Sequence, residues 1–128
     1  MFLTVDADDK RPLYQQIADG VKALIASGEL REGMALPSVR QLAGDLGVNL
    51  NTIAVAYRQL QEEGFLRVRH GAGTVVTSER PTRIEEEALR KPLRSALTQW
   101  ILGGRDDSEI VAAVRRELAL IHQKGESR

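Results

Sequence analysis

LPSVRQLAGDLGVNLNTIAVAYRQL, residues 36–60, is the stretch on which the fold turns. Pro37-Ser38 opens a helix in which Ser38 and Gln41 stand at capping-box spacing and Leu42, Ala43 and Leu46 share one face. That pattern halts at Gly47 after about two and a half turns. Val48 fills the corner, and Asn49 caps a further helix that buries Ile53, Ala56 and Leu60 and runs to Gly64. Each residue type answers a steric demand. Ala43 is small where the helices approach, Gly47 permits a left-handed backbone, and Leu42, Leu46, Val48, Ile53 and Ala56 set a fixed angle. The outer face of the second helix's first turn is then free to enter a major groove.

Working outward, Pro12 suits a first helical position, and Leu13, Ile17, Val21, Leu24 and Ile25 recur at helical spacing until Gly28. Residues 29–36 read as a loop with a turn at Gly33. Phe65 to Arg69 alternates, Leu66 and Val68 on one side and Arg67 and Arg69 on the other, as a half-buried strand does. His70-Gly71-Ala72-Gly73 turns the chain, and Thr74 to Thr77 returns as a second strand. A two-stranded hairpin is not stable alone and must lie on the helices as a wing. The predicted fold is mainly α: a winged helix-turn-helix of three helices plus a β-hairpin over residues 1–77, a linker at 78–82, and a two-helix tail at 83–128.

In the tail, Ile84, Ala88, Leu89, Leu93, Ala96, Leu97, Trp100 and Ile101 mark a helix that Pro92 should kink or interrupt. Gly103-Gly104 closes it. Asp106 and Glu109 form the next capping box, and Ile110, Val111, Val114, Leu118 and Ile121 stripe a last helix ending near Gln123. Two amphipathic helices cannot bury their own apolar faces, so a partner chain is expected to cover Leu89, Leu93, Leu97, Trp100, Ile101, Ile110, Val114, Leu118 and Ile121. A tryptophan on such a stripe is usually core; an unidentified small-molecule effector lodged beside Trp100 at a dimer interface is the less favoured reading.

Composition narrows the function. A chain of 128 residues, 42% hydrophobic and 28% charged, has room for one domain with an appendage and none for a large catalytic domain. No apolar run approaches the ~20 residues of a membrane span, the N-terminal residues resemble no leader, and cysteine is absent, so the cytoplasm is expected. Gly71-Ala72-Gly73-Thr74 lacks a following lysine and precedes a strand, so it reads as a hairpin turn and not a phosphate loop. His70 and His122 are far apart and lack clustered ligands. No enzyme activity, metal or cofactor is expected.

The remaining candidates are a sequence-specific DNA-binding regulator and a winged-helix module for protein or RNA contact. The formal net charge of zero favours the second, and DNA binding requires cations gathered on one face. Three features together favour DNA. Asn49, Leu50, Asn51, Thr52, Val55 and Arg58 line the outer face of the second helix, amides suited to adenine beside apolar groups suited to a thymine methyl. Asn49 alone is explained by capping; Asn51 and Thr52 have no such duty. Arg40, near the start of the preceding helix, and Arg67, Arg69 and His70 on the wing supply donors for phosphates or a minor groove.

The chain resembles the GntR family of bacterial regulators, and within it the short YtrA-type subfamily. The resemblance rests on PLYQQI at 12–17, GEL at 28–30, LPSVRQLA at 36–43, GVNLNT at 47–52, AY at 56–57, EG at 63–64 and HGAGT at 70–74. It implies a homodimeric repressor on a palindromic double-stranded operator, with two tail helices for dimerisation. Contacts implied by motif fall on Arg40 for a base or phosphate, on Asn49 to Thr52, and on His70 and Gly71; Ser38 is a further candidate DNA-binding residue. Leu50 stands where the subfamily often has proline, and Val55 near where a basic residue is common. The second helix is therefore poor in cations, which implies more thymine-methyl contact and heavier reliance on Arg40 and the wing.

Overall fold

The computed structural model describes residues 3–77 and 86–126; the expected linker at 78–82 and Ile84 lie outside the described residues. Three helices come first, α1 (Leu13–Ala26), α2 (Val39–Leu46) and α3 (Leu50–Glu62), followed by β1 (Leu66–Arg69), β2 (Gly73–Val76), α4 (Glu86–Leu102) and α5 (Asp107–Glu126). Pro12 is the N-cap of α1 and not its first helical residue, with ψ at 146°. It still starts the helix, because it lacks an N–H and its carbonyl accepts from Gln15 and Gln16.

The core is built from α1, α3 and the α2 face turned toward them. Ile17, Ala18, Val21, Leu24, Leu42, Ala43, Ile53, Ala56, Tyr57 and Leu60 are buried together with Leu66 and Val76 of the hairpin. α3 packs on α1, α2 and β1, which makes it the central element of the domain. Gln16 is buried among these apolar groups because both ends of its amide are occupied. Its Oε1 accepts from the Asp6 amide and its Nε2 donates to the Arg11 carbonyl, so the side chain straps the N-terminal segment across α1.

The hairpin pairs antiparallel in the register Leu66 with Val76 and Arg69 with Gly73. Two expectations are corrected here. Residues 29–36 are not wholly loop: the Gly33 and Leu36 amides donate to the Val76 and Thr74 carbonyls, and the Val76 amide donates to the Met34 carbonyl. This short third edge covers β2 and anchors the wing, a solution to the marginal stability of two strands alone. Val68 is not buried with Leu66 but 68% exposed. Strand alternation places both side chains on one face, yet of the two only Leu66 joins the buried core.

The tail departs from expectation at three points. α4 runs unbroken through Pro92, which sacrifices a single backbone donor. α5 continues to Glu126, past the expected end near Gln123. It also packs against α1, and among its described side chains Ile110 and Ala113 are buried, so Ile110 is covered by its own chain. The capping box at its start forms as the spacing requires: the Asp106 amide donates to Glu109 Oε1 at 3.1 Å and the Glu109 amide to Asp106 Oδ1 at 2.9 Å.

Candidate nucleic-acid interface

The corner between α2 and α3 is built by backbone chemistry. Ser38 Oγ accepts from the Gln41 amide at 3.0 Å and starts α2. Gly47 ends it in the left-handed region, φ 67° and ψ 33°, and the Val48 amide reaches back to the Ala43 carbonyl. Asn49 Oδ1 accepts from the Asn51 amide at 2.7 Å and starts α3. The cap function of Asn49 thus occupies its side-chain oxygen, while its amide nitrogen and the whole Asn51 side chain are left at the surface, both residues being exposed.

Around this turn, Ser38, Arg40, Leu50, Asn51 and Arg58 are exposed, and Thr52 and Val55 are half-buried. Leu50, at 44% exposure, is an apolar side chain at the very start of a helix with no core to enter. The wing carries Arg67, Arg69, His70 and Gly71, all exposed. Its tip is a turn closed by the Ala72 amide on the Arg69 carbonyl, with Gly71 at φ 83° in the third turn position, where a side chain would be strained. The wing and α2 are joined by short chain: Leu36 is bonded to Thr74 of β2, and Arg40 follows four residues later, in the first turn of α2.

Charge is segregated despite the zero total. Residues 1–32 hold Asp6, Asp8, Asp9, Asp19, Glu29 and Glu32 against four cations, whereas residues 33–63 hold Asp45 against Arg40 and Arg58, with Glu62 and Glu63 at the far end of α3 from its first turn. Residues 64–77 hold Arg67 and Arg69 and no carboxylate. Several of the acids are neutralised locally. Arg11 bridges Asp9 and Asp19, and its hydrogen bond to Asp9 holds that carboxyl below its usual range. Lys22 of α1 pairs with Glu63 and lies over the Phe65 ring at 5.4 Å. None of α1, α2 and α3 has an acidic residue in its first turn, whereas α5 carries Asp107 and Glu109 there, so the positive ends of α2 and α3 are capped by the neutral side chains of Ser38 and Asn49.

Two contributors were not legible as such. Tyr57 lay in a recognised motif without an assigned task; its hydroxyl donates to the Pro37 carbonyl at 2.7 Å, and burial pushes its phenol up to about 12. The third strand edge at residues 34–36 has no alternation to announce it. Among the described residues, no group of three or more histidines and carboxylates converges to hold a metal, and no helix is long and apolar enough to cross a membrane.

Comparison with known proteins agrees with this geometry. The family model described as bacterial regulatory proteins, gntR family, matches residues 13–76, the span from α1 to the end of the wing. The chain belongs to the GntR family. It is 34% identical over 100 residues to the HTH-type transcriptional repressor YtrA of Bacillus subtilis, covering 78% of this chain and 76% of that one. A transcriptional antiterminator structure from Listeria monocytogenes superposes with a TM-score of 0.84 at 25% identity, over 95% of this chain and 93% of that one, tail helices included. The DNA-binding domain of AraR in complex with the operator ORX1 matches with a TM-score of 0.50 at 26% identity, over 60% of this chain and 93% of that one. This GntR-family chain is a winged helix-turn-helix DNA-binding transcription regulator and not an enzyme.

Proposed function

We propose that this regulator acts as a homodimeric repressor in the cytoplasm, binding a palindromic operator with one recognition helix per half-site. In this reading Leu50, Asn51 and Thr52 meet base edges in the major groove, with the Asn49 amide beside them. Ser38, Arg40 and Arg58 hold the flanking phosphates, while Arg67, Arg69, His70 and Gly71 carry the wing along the backbone or into the adjacent minor groove. The observation that carries the dimer is the apolar groove of about 580 Å³ between α4 and α5, lined by Leu93, Leu97, Ile101, Val111, Val114 and Leu118. Leu93, Ile101 and Leu118 remain at least half exposed in the single chain.

A second copy of the chain is the occupant assigned to this groove. Its own α4 and α5 carry the same unpartnered stripe, and a twofold axis lets each cover the other. Trp100, half-buried in the single chain, is read as core in this arrangement and not as a ligand platform.

Sedimentation and library selection test the reading together. Replacing Leu97 and Leu118 with glutamate yields monomers, and sequences selected by the native chain from a random duplex library form a palindrome with half-sites about one helical turn apart. A double variant that still sediments as a dimer, or a selected motif without twofold symmetry, refutes it.

A further inference from the structure

Tyr57 is a polar aromatic on the buried face of α3, among Ile53, Ala56 and Leu60, and is only 2% exposed. A hydroxyl at that depth requires a partner, and its partner is the Pro37 carbonyl, twenty residues away in sequence. Pro37 lies just outside α2: the first acceptor of the helical ladder is the Ser38 carbonyl, which takes the Leu42 amide. The Tyr57 bond is therefore a tie from the middle of α3 to the entry of α2. Three consecutive residues each make a different attachment. The Leu36 amide donates to Thr74 of the wing, the Pro37 carbonyl accepts from α3, and the Ser38 side chain caps α2. Arg40 follows two residues later.

We propose that the Tyr57 hydroxyl is a positioning group for operator recognition: without touching DNA, it holds Arg40 and the wing at a set distance from Asn51 and Thr52. The inference rests on the contact roles proposed above for those residues. Removing the hydroxyl leaves the Pro37 carbonyl without its protein donor, and the 36–40 segment relaxes toward water. Contacts to the DNA backbone fix register, so a shift on the order of 0.5 Å at Arg40 and the wing degrades the fit of α3 to its bases. Random DNA, which is held by charge alone, is indifferent to such a shift.

The test uses the full-length Tyr57→Phe variant, which keeps the buried ring. The two probes are the tightest duplex selected by the native chain and a shuffled duplex of the same composition. Stoichiometric titration fixes the active fraction, so a partly folded preparation changes amplitude and not the affinity ratio. Affinity for the selected duplex falls about five- to tenfold, the scale of one hydrogen bond, while affinity for the shuffled duplex changes less than about twofold. Adding Arg40→Ala to Tyr57→Phe then costs less than Arg40→Ala alone, because the arginine is already displaced. An unchanged ratio overturns the proposal, as does an equal loss on both duplexes or full additivity with Arg40→Ala. Failure of the native chain to discriminate the two duplexes is a separate result, and it refutes the contact roles and not the tie.

Discussion

Gly44 and Gly47 lie three residues apart at the end of α2, and the same substitution at each has opposite signs. Gly44 is inside the helix with ordinary backbone angles, and a Cβ placed there meets nothing within 4 Å. Alanine at this site is worth roughly 0.5–1 kcal/mol of added stability, since glycine in a helix interior loses more backbone entropy on folding. A Cβ at Gly47 also meets nothing within 4 Å, but φ is +67°, so the cost is backbone strain alone. A left-handed L-residue costs about 1–2 kcal/mol, less for asparagine, whose side chain bonds locally. Gly44→Ala and Gly47→Ala should therefore differ by about 2 kcal/mol in unfolding free energy, with Gly47→Asn between native and Gly47→Ala. Urea unfolding followed by circular dichroism, at one fixed chain concentration, reads the midpoints directly. Midpoints that move in the same direction for the two alanine variants, or a Gly47→Asn variant less stable than Gly47→Ala, refute the assignment of the corner to the left-handed glycine.

Asn51→Ala should cost ~1–3 kcal/mol on the selected operator and little on random DNA, whereas Arg69→Ala should weaken both and lower the salt slope by about one unit. Equal losses on the two DNAs for Asn51→Ala remove it from base readout. Glutamate at Leu97 and Leu118 should lower operator affinity by about 10²–10⁴, because the two half-sites are no longer bound as one event; retention of full affinity by a demonstrated monomer contradicts bivalent binding. The folded phenol of Tyr57 titrates at about 12 against 10.0 in the unfolded chain, so its contribution is fully present below pH 10 and is lost as pH rises from 10 toward 12. The loss amounts to roughly 1.4 kcal/mol per pH unit and is absent from Tyr57→Phe, which alkaline urea titrations of the two proteins check.

Local chemistry explains which parts of the fold were readable in advance. The Ser38 and Asn49 caps, the Gly47 corner and the reciprocal Asp106–Glu109 box depend on neighbours within four residues, so spacing along the chain is enough to announce them. Val68 deceived the alternation rule because period two reports which face a side chain shares, not how far the opposing layer extends. Pro92 does not interrupt α4, because losing one backbone hydrogen bond does not break a helix of 17 residues.

The candidate interface divides along the same line. Exposure of Leu50 and Asn51 follows from helical phase, and so was visible in the periodicity of Ile53, Ala56 and Leu60. The charge problem was not soluble from the total, since a net charge of zero does not say where the carboxylates lie once Arg11 and Lys22 have paired with some of them.

From the chain alone came the identity and order of the helices, the caps, the hinge glycine and the exposed turn, because all of these are set by residues close in sequence. Tertiary structure alone decided the third strand edge at 34–36, the burial of Ile110 within its own chain, the exposure of Val68 and the tie from Tyr57 to Pro37. Each of these joins groups distant in sequence, and such pairings have no period and no local spacing by which the sequence could signal them.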